Sequence, residues 1–519
     1  MERKQRLAAR VGVFGIGLAT YWPQFPGLRE RLIGYQDKVE AHLMRLGAEV
    51  VSAGLVDTPE AGREAGERFA RENLDLLACS IGTYATSSQV LPVVQRQHAP
   101  VLALNLQPIA ALDYERTDTA EWLANCTVCS VPELAGVFAR ARIPFNIVTG
   151  TLSDDDRAWG AIAEWVTAAG VARTLRRARF GFLGHTYPGM LDMHTDIAMH
   201  QAQLGTHIEL LEMEDLQTRT DATTDAEVAA KEAEIRTIFT IAAPGSDAIA
   251  APVTDDALNR SARIACGLDR LVDDFALDGL AYYYRGLDNG PFEQLAAGLI
   301  VGNSLLTARG IPTAGEGDLQ TCVAMLIMDR LGVGGSFAEF MAMDFNDDII
   351  LMGHDGPGHL AISAAPPTLR ALEVFHGKRG GGLSVEFIVQ PGPITILGLT
   401  QTAEGRLKLL AAEGECVPGP ILHTGNTNAR LKFAGGPAAF IERWCAEGPT
   451  HHVALGLGHQ TSTLRKLSRV LGLDLDVVEQ RGSVFSLIAH RSLLIAARLK
   501  GAPCGTSLFP LAGSAGAAR

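Results

Sequence analysis

The chain has 519 residues, 47% of them hydrophobic and 20% charged, which excludes a disordered polypeptide and exceeds one ordinary core, so two or three domains are expected. With Asp+Glu 58 against Lys+Arg 45 the formal net charge is −13, so the chain lacks the basic balance that a nucleic-acid surface needs, and small-molecule chemistry fits better. No apolar run reaches the ~20 residues that span a bilayer, and eight scattered cysteines suggest a reduced, cytoplasmic setting and no disulfide framework.

The opening MERKQRLAARVGVFGIGLATYW imitates a signal peptide but has no small-residue cleavage site before Tyr21-Trp22-Pro23, and is read as a first strand. From Arg10 to about Leu175, short apolar runs (VGVFGIG, AEVVSAGLV, LDLLACSIG, PVLALNL, PFNIVTG) alternate with amphipathic stretches such as GLRERLIGYQDKVEAHLMRLG. That rhythm predicts βαβ units and a parallel sheet. A second series follows RTLRRAR: RFGFLGHT, a helix from about Met190, THIELLEME, a polar helix through TTDAEVAAKEAEIRTIF, GLAYYY, and a helix ending near Arg309. After about Phe340 the pattern changes to close-set strands and turns (SVEFIVQPGPITILGLT, RLKLLAAEGE, ILHTGNTNARLKF), which predicts an antiparallel sheet or small barrel with a late helix from TSTLRKLSRVLG. The fold expectation is therefore two doubly wound, Rossmann-like parallel α/β domains, at 1–175 and 176–340, and a β-rich domain at 341–519. The tail LAGSAGAAR is expected to fray.

Gly12, Gly15 and Gly17 follow the first strand, but Thr20-Tyr-Trp-Pro-Gln-Phe-Pro delays the helix that a dinucleotide fingerprint requires. No GxxxxGK[ST] or GxSxG motif is present. In Cys126-Thr-Val-Cys129 a second pair for zinc is missing, which leaves packing thiols. AGEGDLQT places Glu316 between two glycines where a strand meets the helix QTCVAMLIMDRL, the position where open α/β sheets bind ligands; Asp318 or Thr321 can cap that helix. MDFNDDIILMGHDGPGH gathers Asp344, Asp347, Asp348, His354, Asp355 and His359 around an apolar strand. Farther on, His451 and His452 precede VALGLG, and in a strand adjacent side chains face opposite sides. Together Glu316, Asp344, His354 and His452 would form a mixed oxygen and nitrogen set suited to Mn²⁺, Mg²⁺ or a similar divalent cation.

These residues carry a resemblance to the L-fucose/L-arabinose isomerase family: AGEGDLQT, an acid 28 positions after Glu316 (Asp344), a GH ten residues later (His354), and the pair His451-His452. The resemblance implies two Rossmann-like domains, a β-rich C-terminal domain, and an Mn²⁺-dependent aldose–ketose isomerase acting through an enediolate on a C5 or C6 (deoxy)sugar. It implies that Glu316 and Asp344 are both metal ligands and acid/base groups, with His354 and His452 completing the metal set. Substrate contacts fall to His359 (or a substitute ligand role), Met190, Cys129 and His451. A homo-oligomer is implied, a trimer or a hexamer of stacked trimers, with no membrane or nucleic-acid partner. The Glu316/Asp344 pairing looks like the fucose branch and the His354 ligand like the arabinose branch. Cys129 stands where the arabinose branch has a histidine donated from a neighbouring subunit, and TYWPQFPG differs from that branch's glutamine-bearing loop. A metal-dependent epimerase, lyase or decarboxylase on a related polyol or sugar acid would use nearly the same ligands. A sugar-binding protein would explain the α/β domains but not the acid and histidine set.

Overall fold

Six consecutive buried residues make the first apolar run the centre of a sheet and not an edge. In the computed structural model, which describes residues 3–243, 252–285, 290–373, 381–422 and 424–479, that run is β1 (Arg10–Ile16). With β2 (Glu49–Val56), β3 (Leu76–Ile81), β4 (Val101–Gln107) and β5 (Phe145–Thr151) it forms an all-parallel sheet in the order β2-β1-β3-β4-β5. The last glycine of the VGVFGIG run makes room for a side chain: a Cβ at Gly17 would lie 2.8 Å from the Trp22 ring. The first long helix begins only at Leu28.

A second parallel sheet, in the order β10-β9-β6-β7, joins β6 (Arg179–Gly184), β7 (His207–Leu211), β9 (Gly279–Tyr283) and β10 (Thr313–Ala314). Between them β8 (Thr240–Ile241) leaves to pair with β13 (Thr368–Glu373), whose other neighbour is β14 (Gly381–Glu386). The helix expected from Met190 starts later, at Ile197, because the Asp196 carboxylate accepts the Ala198 and Met199 N–H groups as its cap. Residues Leu191–Met193 form one 3₁₀ turn instead.

The β-rich region is a closed barrel, and it begins at Gly334, ahead of the change of rhythm at Phe340. β11 (Gly334–Asp344), β12 (Ile349–His354), β15 (Gly392–Gln401), β16 (Leu407–Cys416), β17 (Thr427–Phe433) and β18 (His452–Leu457) run in the ring order β15-β18-β11-β12-β17-β16, and β16 closes it against β15. β19 (Asp474–Val477) adds to β16 in parallel. Closure satisfies the hydrogen-bonding edges that an open antiparallel sheet would expose. The SVEFIVQPGPITILGLT stretch divides at Pro391: its first half enters β14 and its second half is β15. One core runs through all three regions, from Val11 and Leu102 of the first sheet through Trp159 and Ile162 to Phe180, the helix Leu319–Leu331, and Leu397, Leu409 and Leu467. The predicted frayed tail lies outside the described residues.

One buried imidazole lies apart from the histidines of the β-rich region. His200 is 0% exposed, with Nε2 3.0 Å from Thr195 Oγ1 and no partner for Nδ1 among the described residues. Burial pushes it down to about 4, against the attraction of Asp318 and Asp196. The unfolded chain protonates this histidine near 6.5 while the folded chain refuses the proton, so stability is complete above that pH and falls as pH drops toward 4. Denaturant unfolding at pH 7 and pH 4.5 should show His200→Gln losing less stability with acid than the parent, by roughly 2–3 kcal/mol.

Candidate active site and metal centre

β10 ends at Ala314 on the carboxyl edge of the second sheet, and the chain turns there through Gly315–Gly317. Glu316 sits in the left-handed region at φ 59°, a costly conformation for a side chain with a Cβ, and it persists only where neighbours dictate it. The neighbours are the loop after β6: the Glu316 carbonyl accepts the Tyr187 N–H at 2.8 Å, and the Gly317 carbonyl accepts the Thr186 hydroxyl at 3.4 Å. Gly317, at φ 70°, cannot carry a side chain, since a Cβ would lie 2.5 Å from the His185 carbonyl oxygen. The turn is thus pinned from behind and presents the Glu316 carboxylate forward.

The next acid, Asp318, has two roles. One carboxylate oxygen caps the helix Leu319–Leu331 by accepting the Thr321 N–H at 2.8 Å, and the other lies 2.9 Å from His452 Nδ1. Both Asp318 and His452 are 0% exposed. A carboxylate against Nδ1 keeps the proton there and leaves Nε2 as a bare lone pair. That Nε2 is buried with no hydrogen-bond partner among the described residues, and Glu316 Oε2 lies 3.5 Å away. Burial, only partly opposed by Asp318, lowers the His452 pKa, so the ring is neutral.

Strand alternation would bring at most one of His451 and His452 to a given site. The strand begins only at His452, so strand alternation does not apply, and His451 also turns toward Glu316, with Nε2 3.8 Å from Oε2. Its Nδ1 is 2.6 Å from Asp192 Oδ2. Burial opposes its charge, but Glu316 and Asp192 outweigh burial and hold His451 up to about 9. Burial likewise works against ionised Glu316, and the His451, His452 and His354 rings overcome it and lower its pKa.

The barrel brings a second acid. Glu339 on β11 is directly opposite His452 on β18, and His354 ends β12 beside them. Phe337, two residues earlier on β11, packs its ring against His354 and His452 at 4.5 and 4.3 Å. His354 Nδ1 is 3.1 Å from Asp355 Oδ1; burial disfavours its charge, but Asp355, Glu339 and Glu316 raise its pKa. Two overlapping groups result, Glu316–His451–His452 and Glu339–His354–His452, each with ligand-capable atoms within 4.8 Å of one another. A buried, unspent imidazole lone pair shared between two carboxylates and a second histidine fits a divalent cation with mixed oxygen and nitrogen preference.

The L-arabinose isomerase central-domain profile matches residues 194–334. The chain is 28% identical to the L-arabinose isomerase of Acidothermus cellulolyticus over 391 residues, covering 73% of this chain and 76% of that protein. It is 25% identical to the L-arabinose isomerase of Erwinia tasmaniensis, covering 75% and 78%, and 24% identical to the sulfoquinovose isomerase of Priestia aryabhattai over 230 residues, covering 43% and 49%. The profile match and these relatives support a protein of the L-fucose/L-arabinose isomerase family. Glu316 and the cap residue Asp318 lie within the profile match, whereas the pinning residues His185, Thr186 and Tyr187 precede it and Glu339, His354 and His452 lie beyond it.

Four other candidates from the sequence stand elsewhere in the structure. Asp344 does not join Glu316: it ends β11, five residues past Glu339 or roughly 16 Å along the strand, and its carboxylate accepts the Asn346 and Asp347 N–H groups at 2.9 and 3.0 Å. Those two bonds lower its pKa. The acid cluster of MDFNDDII is a hairpin turn, with Asp347 paired to Arg430 and Asp348 in the left-handed region at φ 56°. His359 is 0% exposed and its Nε2 lies 3.2 Å from Asp329 Oδ1, in a buried cluster with Arg330, so no ring edge is left for a ligand. Met190 precedes the 3₁₀ turn that carries Asp192. Cys129 is exposed at the start of the helix Ser130–Arg140, 2.8 Å from the Cys126 sulfur, and is not among the side chains meeting Glu316. Sequence reasoning missed Glu339 and Asp192; Glu339 shares a strand face with buried Phe337, and nothing local marks it.

Asp318→Asn tests the buried pair directly. The amide can still cap Thr321 but no longer fixes the imidazole proton, so nitrogen NMR of His452 should show the Nδ1–H form giving way to a mixture. The stability loss should be about 1–3 kcal/mol. An unchanged His452 spectrum would show that Asp318 does not set the tautomer.

Proposed function

We propose that this protein is an aldose–ketose isomerase that moves the carbonyl of a C5 or C6 sugar between C1 and C2, with Mn²⁺ or a similar divalent cation held by Glu316, Glu339, His354 and His452. The observation that carries the reading is the buried, partnerless Nε2 of His452, oriented by Asp318 and flanked by a carboxylate from each of two chain regions. The matched relatives are arabinose and sulfoquinovose isomerases, which supports the reaction class.

A hydrogen on the carbon beside a carbonyl is too weakly acidic for water to remove quickly, so the site must both stabilise the enediolate and supply a base. A bound divalent cation acts as a Lewis acid toward the substrate's oxygens. The protein's part is proton management. Glu316 and Glu339, arriving from the second sheet and from the barrel, take the carbon-bound proton and relay the hydroxyl protons between them. Charged His451, anchored by Asp192, keeps Glu316 ionised in a buried place where it would otherwise protonate. Asp318 holds His452 in the tautomer a ligand needs.

The same reading makes the active form a homo-oligomer, a trimer or hexamer, with the carboxyl edge of the first sheet against a neighbour's site. That edge exposes Tyr114, Trp122 and Val128, at 92%, 45% and 61%, beside Cys129. Exposed apolar side chains of this size are what a subunit interface covers.

Solvent deuterium appearing at C2 of a panel of C5 and C6 aldoses reports enediolate formation without requiring the right final product. Glu316→Gln and Glu339→Gln should each lower exchange by ~10²-fold or more, while Asp344→Asn should stay near the parent. His354→Gln and His452→Gln should weaken Mn²⁺ binding, measured by calorimetry, and recover part of their exchange in excess Mn²⁺. Exchange that survives in both glutamate variants would sink the assignment.

A further inference from the structure

The amino-terminal edge of the first sheet, where parallel sheets rarely bind anything, carries a cavity of about 480 Å³. Its walls are the turn into β3, the turn into β4, and the end of the helix Asp156–Leu175 with the residues after it. In a chain of net charge −13, the ionisable lining is basic: Arg96, Arg173, Arg176 and Arg177 against the single carboxylate of Asp75, with His98 alongside.

Asp75 is buried and already committed. Its carboxylate accepts the Arg10 backbone N–H at 2.9 Å and holds Arg176 at 3.0 Å and Arg173 at 3.6 Å. Arg173 also lies 3.5 Å from Glu49, which is outside the cavity lining, so Asp75 and Glu49 together hold Arg173 and Arg176 in place. Arg96 and Arg177 have no ion pair among the described residues. A helix carboxyl end favours nearby cations, which accounts for Arg173. It does not account for Arg96, which arrives from a separate turn. Arg96 and Arg177 are exposed and bring further positive charge to the same opening, and the planar forks of these arginines match the oxygens of a phosphate group.

We propose that this cavity binds a small phosphate ester, with the phosphate between Arg96 and Arg177, Arg173 and Arg176 held behind it by Asp75, and the organic part over Leu74 and Ala99. A dianion suits the charge excess better than a lone carboxylate. The volume falls in the range of small-molecule sites, ~300–1,000 Å³, and exceeds what inorganic phosphate alone would fill. None of the lining residues belongs to either group around His452, so this is a second, separate site whose occupancy clamps the first sheet's turns to the helix leading into the second sheet.

Titration calorimetry of the full chain at fixed ionic strength decides it, with glucose 1-phosphate, methyl glucoside and inorganic phosphate as probes. Glucose 1-phosphate has a blocked C1 and cannot enter the aldose–ketose chemistry, so the result does not depend on the proposed catalytic function. Binding of glucose 1-phosphate, no heat from methyl glucoside, and a loss of about tenfold or more in Arg96→Ala/Arg177→Ala, with an unchanged circular dichroism spectrum, is the expected outcome. Inorganic phosphate binding as tightly as the ester would overturn the ester assignment. Absence of phosphate binding, or equal binding in the double variant, would overturn the site. Should the double variant fail to fold, Arg96→Gln alone, on an exposed turn, provides the same comparison.

Discussion

The arrangement around Glu316 depends on one buried hydrogen bond, between Asp318 and His452, which lie 134 positions apart and are both closed to solvent. An ionised carboxylate in such a place would be prohibitive without partners, and it has two: the first turn of a helix and an imidazole. Each satisfies a need of the other element. The helix Leu319–Leu331 gains its cap, β18 gains a fixed first residue, and the second parallel sheet is tied to the barrel at the point where the candidate ligands meet. Removing either partner would leave a buried polar group unpaired, which costs more than the bond itself contributes.

From that bond the electrostatics of the neighbourhood follow. His451 and His452 are consecutive and their rings are 3.9 Å apart, yet their environments drive them in opposite directions. His452 is sealed and paired on one nitrogen only, so burial wins and the ring is neutral. His451 is bracketed by the carboxylates of Asp192 and Glu316, so it stays charged to about pH 9. A neutral ring with a free lone pair and a charged ring against a carboxylate are distinct tools, and two adjacent histidines furnish both because a strand begins between them.

The barrel supplies what the parallel sheets cannot. An open α/β sheet brings side chains to its carboxyl edge from one side only. Closure of the antiparallel strands sets Glu339 across from His452 and brings His354 to the end of the adjoining strand, so the cluster is approached from two directions. Phe337, packed against both imidazole rings, leaves the two histidines little rotamer freedom and keeps their donor atoms aimed at the carboxylates.

Much of this was legible in the sequence, where local rules apply. The alternation of apolar runs with amphipathic stretches specified two parallel sheets, because each βαβ unit must bury its own strand. Close-set alternating strands specified a β-rich third region. Glu316 was legible because flanking glycines mark a backbone that cannot be ordinary, and Asp318 because helix caps have a narrow chemistry. His354 and His452 were legible through the family resemblance. The second carboxylate was not. The family resemblance pointed to Asp344, whose side chain is spent on a hairpin turn, while Glu339 sits in mid-strand with no local signature. Barrel closure and cross-strand register alone bring it opposite His452. His359 went the same way: a histidine after Gly-Pro-Gly looks available in sequence, and only the packed structure commits it to Asp329. Backbone propensity and patterning are short-range and are written along the chain. Which acid meets which imidazole is a matter of register between strands more than a hundred residues apart, and the tertiary fold decided it.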